Sequence, residues 1–166
     1  MRKGTDLITL DTLIELGACK EGREFFAEHH PDGGEYQKVL DTACEHGHPD
    51  FASWLLDKLG PTDDVLAVDE IKTDGAVVFA GKIVVERWIE AGGSIEAGGS
   101  IEAGGWIKAG WWIKAGEWIK ADYDYGIYAG LKAMLSDKSN RTVTAKIKPD
   151  NLMCGEFAPL EDRHEN

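Results

Sequence analysis

Five histidines and three cysteines are the side chains in this sequence best suited to holding a metal or moving a proton. Their one dense grouping is Cys44-x-His46-x-His48, with His29-His30 in the preceding helix turn. Zinc sites draw on three or four convergent ligands, usually as spaced pairs. No second cysteine pair is present, so these read as histidines at helix ends, and no metal is expected. Glycine pairs such as Gly92-Gly93 lack the lysine and hydroxyl that a phosphate loop needs at fixed offsets, so no cofactor is expected either. The regular hexads carry no corner aspartate for calcium, and no Ser-His-Asp or Cys-His set stands out. What the residue types favour is recognition. Trp106, Trp111, Trp112 and Trp118 run into Tyr123, Tyr125 and Tyr128, edged by Glu117, Asp122 and Asp124. Aromatic anchors bordered by acid are the composition of a hot spot for a basic partner.

A repeat must position these residues. Ile89, Ile95, Ile101, Ile107, Ile113 and Ile119 recur every six residues, each followed two places later by alanine, Ala91 through Ala121. Counting backwards, Ile83, Val77, Ile71 and Val65 fall in the same phase. A period held over so many copies marks a repeat architecture. An isoleucine every six residues would wander around a helix, whose turn is 3.6 residues. In a strand, with period two, Ile95 and Ala97 share one side, Glu96 takes the other, and Gly98-Gly99 turns the corner. Strands this short cannot pair as hairpins, but coiling lets each pair with the strand one coil away.

Charge selects the coil. Glu90, Glu96 and Glu102 are followed in the same hexad position by Lys108, Lys114 and Lys120. Three hexads per coil stack each glutamate on a lysine, with Lys72 beneath Glu90; two hexads would stack like on like. Opposite charges across a ladder contribute about 0.2–1 kcal/mol, so three faces are expected. The same spacing sets Trp88 beside Trp106, Ser94 beside Trp112 and Ser100 beside Trp118. The alternation gives Trp88, Trp106, Trp112 and Trp118 outward parity, and such a display of tryptophan implies a partner or an intramolecular cover.

Before the repeat, residues 5–60 read as four short helices, ending at Gly17, before Pro31, at Gly47 and at Gly60-Pro61. The expected division is an acidic helical module over 1–62, a β-solenoid over 63–135, and a closing strand and tail over 136–166. The early hexads are bulkier, so a taper or cap is expected there, and the solenoid is expected to have three to four coils. Its repeat falters at Asp122 to Gly126 and resumes as Ile127, Ala129 and Leu131, and Thr142 to Lys148 alternates like a strand. Net charge is −12, and residues 1–64 hold 6 basic against 14 acidic residues. Such a field repels nucleic acid and anionic membranes and attracts basic surfaces. No signal peptide or membrane span is visible, and an odd cysteine count suits a reducing cytoplasm.

A three-sided β-helix of six-residue repeats resembles the hexapeptide acyltransferases in architecture. Those depend on a coil histidine, and this chain has none between His48 and His164, which removes the general base. The segment from Gly17 to Phe26, GACKEGREFF, followed by Ile-Glu/Lys-Ala-Gly repeats, resembles a set of phage and bacterial proteins that join a short helical module to such hexads. That resemblance brings no activity or catalytic residues. A phage setting would imply an anti-defence role, such as an anti-CRISPR inhibitor acting on a CRISPR effector subunit. The expectation is therefore an α+β chain, not an enzyme, that blocks a basic, nucleic-acid-binding protein by charge mimicry. The alternatives are a structural solenoid that forms homo-oligomers and, third, an acyltransferase.

Overall fold

A computed structural model describes residues 2–134 and 136–161. The helical module contains α1 (Leu10–Glu15), α2 (Lys20–His29), α3 (Tyr36–Glu45) and α4 (Pro49–Leu59). Thr9 starts α1 with a capping box, its hydroxyl accepting the Thr12 amide at 3.3 Å. Pro49 begins α4, where its missing amide costs nothing, and Gly60 ends it at φ 81°. A small antiparallel pair, β1 (Leu7–Ile8) with β2 (Gly34–Glu35), ties the chain start to the α2–α3 connection. No periodicity in such short segments announces it. Phe26, Tyr36, Val39, Leu40 and Leu55 form the module's buried core.

From Val65 the chain winds into the expected three-sided solenoid. The first coil is β3 (Val65–Val68), β4 (Ile71–Thr73) and β5 (Val77–Phe79). The second is β6 (Lys82–Val85), β7 (Ile89–Ala91) and β8 (Ile95–Ala97), and the third β9 (Ile101–Ala103), β10 (Ile107–Ala109) and β11 (Ile113–Ala115). The fourth is β12 (Ile119–Ala121), β13 (Ile127–Tyr128) and β14 (Thr142–Ala145), and β15 (Leu152–Cys154) and β16 (Glu156–Pro159) begin a fifth. The faces are parallel sheets ordered β12-β9-β6-β3, β15-β13-β10-β7-β4 and β16-β14-β11-β8-β5. Ile89, Ile95, Ile101, Ile107 and Ile113 are fully buried inside the tube, each above its own kind or a valine or isoleucine one coil down.

The charge arithmetic gives the right register: Glu90 pairs with Lys108 and Lys72, Glu96 with Lys114, and Glu102 with Lys120. Four expectations need correction. The solenoid runs to about five turns, not three to four, because β15 and β16 add a level built from segments without the Ile-x-Ala signature. In the first coil Leu66, not Val65, stacks beneath Ile83, and Val65 is 56% exposed. The repeat does resume at Ile127 and Ala129, but Leu131 turns outward at 54% exposure. Over residues 136–161 the expected closing strand and tail give three strands, two of which, β15 and β16, lie at the far edge; residues 162–166 lie outside the described residues.

The module docks on the side of the tube. Val78, at the centre of β5, points outward and is buried in the module's core beside α3 and α4. Lys114 reaches both Glu96 (2.8 Å) and Asp57 of α4 (3.0 Å), and the Ser53 hydroxyl of α4 donates to Glu96. Because the module takes this lateral position, nothing among the described residues caps the first coil, where a taper or cap is expected. Its lining residues Leu66, Ile71, Val77 and Phe79 stay partly exposed among the described residues.

Candidate functional site

Of the ten aromatic and acidic residues singled out in the sequence, three lie on one edge of the tube, three along β12 and three elsewhere, and Asp124 is exposed in the turn between β12 and β13. On one edge of the tube, Trp88 stacks on Trp106 (centroids 5.2 Å, planes 13° apart), and Trp106 meets Tyr125 at 6.1 Å. Cations cover this ladder: the Arg87 guanidinium lies 4.3 Å from the Trp88 centroid, and the Lys108 ammonium 4.7 Å from Trp106 and 5.6 Å from Tyr128. The rings therefore spend part of their faces on the protein's own charges.

A second group lies along β12. Trp118, Lys120, Asp122 and Tyr123 line a groove of about 660 Å³ whose other wall is Ile147 to Asn151. The Trp118 indole donates to Glu102 at 3.0 Å, and the Lys82 ammonium, 2.9 Å away, holds the Glu102 carboxyl below its usual range. Here the level above β12 is not a strand. Lys146 still bonds to Glu117, and Asn151 to Ile127, but only four residues join them, including buried Pro149. The Asn151 amide instead donates to the carbonyls of Ala121, Asp122 and Tyr125. A proline and a side-chain cap thus close an edge that would otherwise template pairing.

Trp111, Trp112 and Glu117 belong to neither group. Trp111 and Trp112 are half-buried, and of the tryptophans expected to face outward, Trp118 at 37% is the one with large exposure. Ser94 and Ser100 occupy the same hexad position and are buried, which shows the reason: this position sits at a corner, where plain alternation overstates exposure. The described histidines sit at helix ends. His29 and His46 each turn Nδ1 to a carbonyl four residues back, at 2.9 Å, and their rings meet at 4.3 Å. Among the described residues, no three His, Cys, Asp or Glu side chains gather as a metal set.

Sequence reasoning missed one surface. At the first coil, Leu66, Ile71, Val77 and Phe79 floor a groove of about 410 Å³ walled by Gln37, Asp41, Cys44 and Glu45 of α3. Gln37 fixes that wall, donating to the Val78 carbonyl (3.0 Å) and accepting the Ala80 amide (2.8 Å). Burial, with the Asp41 carboxylate beside it, pushes the Cys44 thiol up to about 12, so it remains protonated. The signal available is the loss of the Ile-x-Ala pattern before residue 89, where the sequence predicts a taper or cap.

This geometry can be set beside known proteins. Residues 1–59 match the family model described as the YdhT N-terminal domain. That match ends with α4, so it covers the helical module and none of the solenoid. No curated protein and no solved structure matches the chain. Among the described residues, no helix is long and apolar enough to cross a membrane.

Proposed function

We propose that this is a non-catalytic acidic binding protein, in which a rigid solenoid carries the YdhT-like module to a basic, nucleic-acid-binding protein and occupies the surface nucleic acid would use. The supporting observation is where the module's acid lies. Asp11, Glu15, Glu21, Glu28, Asp32 and Glu35 are all exposed, and the charge balance of residues 1–64 is −8. A field of that sign steers basic surfaces and weakens with salt. In a phage setting, a CRISPR effector subunit would be a partner of this kind. The three cysteines are free, in keeping with a reducing compartment.

The test uses the full chain against basic nucleic-acid-binding proteins. Affinity is expected to fall at least about ten-fold between about 50 and about 200 mM salt, and added DNA should compete. Binding that ignores both salt and DNA would rule out mimicry. A second reading, a solenoid that associates end to end, has the uncovered first coil on its side but must bring the acids at that mouth together; sedimentation over a range of concentrations would then show growing species.

A further inference from the structure

We infer that the open first coil is a docking groove for a short basic, amphipathic segment of another protein. This inference rests on the proposed acidic-binding reading and locates it on the molecule. Terminal repeats of a solenoid need a polar cover, since otherwise the core of the stack meets water. Here Leu66, Ile71, Val77 and Phe79 line the tube like the buried isoleucines above them, yet remain partly exposed. Among the described residues the three sheets also end here without a further strand, at β3, β4 and β5. The third end, β5, is covered by Gln37 of α3, which makes α3 a wall of the groove instead of its lid.

The wall and rim state the partner's chemistry. Asp41 and Glu45 stand one helical turn apart on α3, facing the groove, and exposed Asp69 and Asp74 flank β4. An apolar floor with an acidic rim fits apolar side chains flanked by Lys or Arg. A second copy of this chain fits poorly: mouth to mouth, the same acids would face each other. Mouth to far end, it would meet Pro149 and Pro159, which lack the amide another rung needs.

The experiment measures binding of two synthetic peptides of identical leucine and lysine content to the full chain. One has its leucines on a single helical face; the other is scrambled. The facially ordered peptide is expected to bind at least ten-fold tighter. Gly75→Arg adds a cation and bulk at the rim, where a Cβ meets nothing nearer than the Thr73 hydroxyl at 3.7 Å. That variant should erase the preference, whereas Met153→Arg, at a 67% exposed site on β15 at the far end of the tube, should preserve it. Equal binding of both peptides, or a preference that survives Gly75→Arg, overturns the groove and leaves the acidic-binding reading standing. Binding of neither peptide overturns both. Dimers or larger species that Gly75→Arg disperses would show that the mouth is filled by a second copy.

Discussion

Replacing Gly98 by alanine is expected to cost at least about 3 kcal/mol, while the same change at Gly99, one residue on, stays within about 1 kcal/mol of neutral. Both glycines turn the same corner, between β8 and β9, and neither has a positive φ. The difference lies in what a methyl would meet. At Gly98 an added Cβ falls 2.0 Å from the Ala80 carbonyl oxygen of the coil below; at Gly99 the nearest atoms are at 3.4 Å. Coils stack at the spacing of hydrogen-bonded strands, about 4.8 Å, and cannot part locally without breaking the ladder on both sides. The clash therefore spreads along the tube. For a chain of this size the loss corresponds to a melting temperature lower by roughly 6–12 °C, which calorimetry on the two variants would resolve. Equal losses at Gly98 and Gly99 would refute the argument.

The sequence itself carries that distinction. The first corner position is glycine in five successive hexads, Gly92, Gly98, Gly104, Gly110 and Gly116, whereas the second changes to Trp111 and Glu117. The first position meets a carbonyl of the coil below at 2.0–2.3 Å in each of these five, so the constancy has a steric cause. Fold and coil size were legible because period and charge arithmetic act at fixed spacing along the chain. The last coil was not, since β13 to β16 hold their places through pairing partners one coil away and through insertions, with no hexad left to count. The candidate site was legible only in part. Residue types marked Trp118, Asp122 and Tyr123, which do share a groove, but corners draw Trp106 and Trp112 partly inward. The open mouth depends on where the module docks, and the local sign of that contact is Val78, an apolar residue at the outward position that holds Glu96 and Lys114 in the coils above.

The docking contact itself yields the other large effect. Lys114→Met is expected to destabilise the protein by about 3 kcal/mol, because it strands the carboxylate of Glu96, which is 1% exposed. Glu96 sits outward on β8, directly between Val78 below and Lys114 above, and α4 closes over it with Ser53 and Asp57. A charge buried in this way is tolerated while its partner stays, and removing one member costs more than the pair contributes. The double variant Glu96→Gln with Lys114→Met is therefore expected to be more stable than Lys114→Met alone, since a neutral amide can still accept from Ser53. Denaturant unfolding of the single and double variants measures that coupling directly. The pH dependence follows from the same contact. Burial alone would lower the Lys114 pKa, but the Glu96 and Asp57 carboxylates outweigh it and raise the group above its ordinary value. A raised lysine contributes its full stability below the unfolded value of about 10.4 and loses it as pH climbs through the folded one. Module and solenoid should therefore stay joined at neutral pH and begin to loosen only in strong alkali. In Lys114→Met that alkaline step should be missing, and its persistence would show that another group holds the two parts together.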